Sequence, residues 1–146
     1  MITPEIKNFL NEQKLGYVAT VSNDNTPNLS PKGTIIALDE NHLIFAEIRS
    51  PKTIANLKIN PTLEINVVDP LIRKGYRFKG VATIMTSGDE FSKIIHQYKK
   101  SGIKSKINAI VKIRVSTVDE VTSPLYDLGF SEDEIKLKWK KIILDR

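Results

Sequence analysis

The sequence predicts a mainly β fold, a small closed or partly open antiparallel barrel of six strands with peripheral helices. Three observations carry this. Apolar and β-branched runs of strand length recur along the chain. Most are joined by turn signals such as Asp24-Asn25-Thr26-Pro27 and Asp69-Pro70, not by long crossovers. Only two helical patterns interrupt them.

The chain opens with Thr3-Pro4-Glu5, a cap, a first-turn proline and an early acid. Ile6, Phe9 and Leu10 follow at helical spacing, so a short amphipathic helix to about Gln13 is expected. Gly16–Ser22 is the first strand, folded back by Asp24–Pro27 onto a second, Asn28–Leu38. Asp39–His42 turns the chain into the third strand, Leu43–Ile48, and a helix then runs to Asn60-Pro61. Leu63–Val68 is apolar enough for a strand covered on most of its surface. In Gly75–Thr86, Tyr76, Phe78, Ala82 and Ile84 alternate with Arg77, Lys79, Thr83 and Met85, so one face suits a core and the other an anion. Phe91, Ile94, Ile95 and Tyr98 mark a helix, and Ile107–Val121 the last strand. Ser131 and Glu134 have capping-box spacing ahead of an apolar stripe, Ile135, Trp139, Ile142 and Ile143. That terminal helix must dock on its own domain or on a partner subunit. The expected organisation is a barrel over residues 1–122 and a helical extension over 123–146.

At 146 residues the chain is the size of one domain with a sizeable core. No apolar run is long enough to span a bilayer and no signal-peptide pattern opens the chain, so a cytoplasmic protein is expected. The absence of cysteine excludes disulfides, thiolate nucleophiles and sulfur-ligated metals. Only His42 and His96 are present, with no carboxylate pair at ligand spacing, so no metal site is expected. The net charge of +5 favours an anionic partner. Nucleic acid is the weaker choice, because aromatics do not interleave with Lys and Arg as stacking platforms. Gly75 and Gly80 have the G-x₄-G spacing, but Val81 follows where a P-loop has lysine.

The segment with most chemistry is Phe45–Pro61. Ser50 stands where an N-cap belongs and Pro51 in the first helical turn, where its missing N–H costs nothing. The free N–H groups of such a turn carry partial positive charge, and Arg49, Lys52 and Thr53 add two cations and a hydroxyl. A phosphate fits there. The same residues also read as ordinary punctuation before a short helix with a solvated lysine.

Taken in order, Gly16–Ser22, Asn28–Thr34, the Arg49–Pro61 helix start and Gly75–Ala82 resemble the FMN-binding split-barrel family that includes the pyridoxamine 5′-phosphate oxidases. The resemblance covers about residues 1 to 122. It implies a six-stranded antiparallel split barrel, FMN as cofactor, an oxidoreductase activity toward a reduced nicotinamide or another small molecule, and a homodimer. It implies that Ser50, Lys52 and Thr53, with Arg49, hold the phosphate and that Arg77 completes the site. It further implies that Ala46 and Glu47 pass the flavin with their backbone and that Ser30, Pro31, Lys32, Gly33 and Thr34 lie along the ring. The Arg-x-His element of the oxidases is missing, since Glu40 and Ile94 stand two residues before the only histidines. The substrate therefore stays open, as do a non-catalytic electron carrier and a split barrel holding haem or a deazaflavin.

Overall fold

Thr3 closes the first helix as its position requires, its hydroxyl accepting the Ile6 N–H at 3.2 Å. The computed structural model describes residues 1–146. Helices α1 (Pro4–Gln13), α2 (Pro51–Ile59), α3 (Asp89–Lys100) and α4 (Glu132–Leu144) surround strands β1 (Gly16–Val21), β2 (Pro27–Lys32), β3 (Ile36–Ala37), β4 (His42–Glu47), β5 (Thr62–Asp69), β6 (Lys74–Met85) and β7 (Ala109–Thr122). All neighbouring strands are antiparallel, in the order β2-β1-β5-β6-β7-β4-β3.

The strand count is seven, not six, and the reason lies in the expected second strand. Residues 28–38 do not pair with one neighbour. Gly16–Val21 take Lys32–Pro27, whereas Ile36 and Ala37 take Ile44 and Leu43 at the far edge of the sheet. Gly33, Thr34 and Ile35 bridge the two edges, so the chain itself spans the split of the curled sheet.

β6 and β7 are long enough to belong to both halves, and they bend at a bulge. Lys79 pairs with Thr117 but Gly80 with Val115, which leaves Ser116 as an extra residue whose hydroxyl donates to the Lys79 carbonyl at 3.0 Å. A side chain at Gly80 would begin 2.4 Å from the Arg114 carbonyl oxygen, so only glycine allows the strands to approach this closely.

Two apolar clusters result. The barrel interior holds Leu10, Val18, Leu43, Phe45, Ile65, Val67, Phe78, Val111 and Ile113 among others. A second cluster, Ile44, Ala46, Ile94, Tyr98, Ile107 and Ile110, lies between the outer face of β4 and β7 and helix α3. β4 is therefore covered on both faces, while β6 alternates buried and exposed residues.

α4 docks on its own chain. Both bonds of its N-terminal capping box are formed between Ser131 and Glu134, Ile135 is 1% exposed, and the Arg73 guanidinium stacks 3.5 Å from the centroid of Trp139. No helix is long and apolar enough to cross a membrane.

Candidate functional site

The site is built where β4 leaves the two apolar layers. Because both faces of β4 are covered, a polar group at its end is buried and must find a partner. Glu47 is 5% exposed, and its carboxylate accepts the Ser50 N–H at 2.6 Å. Lys32, 8% exposed at the end of β2, donates to the Ser50 hydroxyl, and its ammonium lies 5.8 Å from the Phe45 ring. Burial lowers the Lys32 pKa from its usual value, and the Glu47 charge opposes that shift. Ser50 therefore departs from its expected role. It is the N-cap residue by position, but its side chain bonds no N–H of α2. The hydroxyl is committed to Lys32 and the backbone N–H to Glu47, so the helix start is partly closed by a carboxylate of the chain itself.

What remains open at that corner is anion-seeking. The N–H groups of Lys52 and Thr53 make no hydrogen bond within the chain, the first bond of the helix being Ile54 N–H to the Ser50 carbonyl at 3.4 Å. The Thr53 hydroxyl is buried without a partner, in a residue 1% exposed. Arg49 and Lys52 are exposed on either side of Ser50 and Pro51.

Ser30, Pro31, Lys32, Gly33, Thr34, Ala46, Ile48 and Arg49 line a cavity of about 320 Å³. Its wall is fixed by Thr34, whose hydroxyl accepts the Ala46 N–H at 3.0 Å and so replaces a ladder partner beyond the short β3. The Thr34 carbonyl in turn accepts the Tyr98 hydroxyl at 2.7 Å, which ties α3 to the same wall. Burial raises the Tyr98 pKa, so this phenol stays a donor. Gly33 and Thr34 also line a second cavity of about 410 Å³, with Asn11, Lys14, Gln97, Tyr98 and Ser101 among its walls. Together these volumes fall in the range of small-molecule sites.

Seven of the expected residues thus share one cavity: Ser30, Pro31, Lys32, Gly33, Thr34, Ala46 and Arg49. Glu47, Ser50, Lys52 and Thr53 do not line that cavity: Ser50 is reached through the Lys32 ammonium, Glu47 through the Ser50 N–H, and Lys52 and Thr53 are carried on the helix start that follows. Arg77 is not brought to them. It is exposed on β6, opposite Asn66 on β5 and Asp119 on β7. Sequence reading missed Ile48, the final residue of an apolar run, and Tyr98, whose position in the stripe of α3 hid the polar tip that reaches Thr34.

Fold and site together define a split β-barrel with an anion-seeking helix start beside a cavity, Arg49 belonging to both. The family model described as pyridoxamine 5′-phosphate oxidase matches residues 2–122, and the chain belongs to that family. Among solved structures, HupZ of Group A Streptococcus is 32% identical, covers 84% of this chain and 96% of its own, and superposes with a TM-score of 0.75. An FMN-binding protein of Syntrophomonas wolfei is 16% identical over 81% of this chain and 84% of its own, with a TM-score of 0.71. The heme storage protein HutZ of Vibrio cholerae is 18% identical over 83% of this chain and 94% of its own, with a TM-score of 0.62. No curated protein matches the sequence.

Proposed function

We propose that this protein is an FMN-binding flavoprotein and works as an oxidoreductase on a small molecule or reduced nicotinamide. The observation that carries the reading is the Thr53 hydroxyl, buried and without a partner beside two unbonded N–H groups at the start of α2. A phosphate monoester supplies the acceptors that such a corner lacks, and the flanking Arg49 and Lys52 neutralise its charge. Family membership and the FMN-binding neighbour support the same cofactor.

In this reading Lys52, Thr53 and Arg49 hold the phosphate. Ser30 to Thr34 and Ala46 form the wall against which the ring lies. Lys32, kept in place by Ser50 and the nearby Glu47 charge, presents the one buried cation of that wall. FMN when bound supplies the redox chemistry, and the chain contributes binding, orientation and a fixed charge. The adjoining cavity past Gly33 and Thr34 gives a substrate room beside the ring. A homodimer belongs to the reading as well, supported by Tyr17, Leu29 and Val81, which are exposed on the barrel.

Titrating the purified protein with FMN, followed by flavin fluorescence, tests the cofactor. Lys52→Ala should weaken binding by about 10- to 100-fold, the loss of about 1.4–2.8 kcal/mol expected for one charge-assisted contact. An unchanged dissociation constant removes Lys52 from the site, and saturable binding of haemin or a deazaflavin without FMN replaces the cofactor. Stopped-flow reduction with NADH or NADPH separates enzyme from carrier: rapid saturable bleaching supports the enzyme, and slow second-order bleaching supports the carrier.

A further inference from the structure

Helix α4 is anchored along one side and open along the other. Ile135 and Trp139 hold it to the chain, and Glu132 meets Lys74 at 3.3 Å. The opposite line carries Leu137 at 71% exposure and Leu144 at 72%. These two are one heptad apart and so fall on nearly the same line of the helix. Phe130, one heptad before Leu137 in the approach to the helix, is 45% exposed. Three large apolar side chains at heptad spacing thus stand uncovered by their own chain on this side.

The charges beside this row are ordered. Asp133 and Lys140, a heptad apart, run along one flank, and Glu134 and Lys141 along the other. Asp133, Lys140 and Lys141 form no ion pair within the chain. Glu134 gives one carboxylate oxygen to the Ser131 N–H at 3.2 Å, leaving the other uncommitted.

We propose that the same row of a second copy covers this surface, the two α4 helices packing antiparallel about a two-fold axis at Leu137. In an antiparallel pair each flank faces its own counterpart running the other way. With Leu137 on the axis, Asp133 of each copy meets Lys140 of the other, and Glu134 meets Lys141, while Leu144 of each lies toward the other's Phe130. A parallel pair would set acid against acid and lysine against lysine, which selects the antiparallel arrangement. An anionic bilayer is the poorer occupant, because Asp133 and Glu134 lie beside the leucines and would be pressed against its headgroups. Few apolar side chains take part, well short of a standard interface of about 1,600 Å², so the contact is weak and depends on concentration. It lies outside residues 2–122, the part matched by the family model.

The natural absence of cysteine makes the test direct. In full-length protein carrying Leu137→Cys, oxidised glutathione should join two copies at least about tenfold faster than in Lys136→Cys, an exposed position off the row, because only near the axis do the Cα atoms come within disulfide reach of about 7 Å. On the Leu137→Cys background, Asp133→Lys or Lys140→Asp alone should slow cross-linking, and the two together should restore it. Equal rates at positions 137 and 136, or no rescue by the double charge reversal, overturn the proposal. Co-flotation of the unaltered protein with phosphatidylserine vesicles, with no preferential cross-link at 137, overturns it in favour of a membrane surface.

Discussion

Strands β4 and β6 both feed the barrel core, yet one carries the candidate site and the other a bare charged face. The difference is cover. β4 has the barrel interior on one side and α3 on the other, and it contributes Leu43 and Phe45 to one cluster and Ile44 and Ala46 to the next. Any polar group near its end is removed from water, so Glu47, Lys32 and Ser50 are locked into mutual bonds and Thr53 is held with an unused hydroxyl. Ahead of Met85, which reaches the second cluster, β6 is covered on one side only, and Arg77 and Lys79 stand in solvent, Lys79 with Glu64 at 3.3 Å. Fixed donors form where a strand is covered twice, and water-screened charges where it is covered once.

The largest effect should come from removing the double cover at its centre. Phe45 is wholly buried. Phe45→Ala should cost about 3–5 kcal/mol of unfolding free energy, read by urea denaturation, because it empties the barrel beneath Lys32. A loss below about 1 kcal/mol would mean that β4 is not the rigid support claimed for the site.

Tyr98→Phe comes next, since Tyr98 belongs to the layer that β6 lacks. Losing its bond to the Thr34 carbonyl should cost about 1–3 kcal/mol, as a buried acceptor is left unpaired. The variant also has a pH signature. Burial raises the folded-state pKa of Tyr98 above the ordinary tyrosine value of 10.0, so its contribution is intact below pH 10 and falls away as pH rises beyond that. Lys32 acts in the opposite direction: its folded pKa is lowered, so its burial costs stability at neutral pH and that cost shrinks as pH approaches 10.5. The alkaline loss measured above pH 10 should therefore be smaller in Tyr98→Phe than in the unaltered protein. An identical alkaline slope in both would detach Tyr98 from the wall.

Thr53→Val should produce a smaller change whose sign differs between two measurements. Replacing a buried hydroxyl that has no partner by a methyl group should raise ligand-free stability by about 1 kcal/mol. The same change should weaken FMN binding by about tenfold if that hydroxyl serves the phosphate. Lower stability without FMN would show that the hydroxyl already has a partner in the ligand-free protein.

Much of this was legible in the residues. Alternation and turn chemistry mark the strands, and Ser131 with Glu134 marks the last helix, because these signals act within a few residues of one another. The switch of residues 28–38 between two sheet edges was not legible, since it depends on which strands lie next to each other once the sheet curls. Ser50 shows the same limit. Its sequence position reads as a cap, but Lys32, eighteen residues earlier, takes the hydroxyl. The anion-seeking helix start was legible from its own residues and the Ser30–Thr34 segment through the family resemblance, while Tyr98 escaped because its apolar spacing on α3 masks a single polar atom.

Arg77→Ala is the smallest expected effect and the sharpest check on the comparison. Arg77 lies on the open side of β6, away from the cavity lined by Ser30 to Thr34, and forms no ion pair within the chain. Stability should stay within about ±0.5 kcal/mol, as for surface substitutions in general. FMN affinity should also stay nearly unchanged if one chain supplies the whole phosphate site. A loss comparable to that of Lys52→Ala would carry a definite meaning: the singly covered face of β6 would then lie against the cofactor of a second subunit. The division between a buried, prearranged corner and a screened strand face would hold for the isolated chain and fail for the assembly.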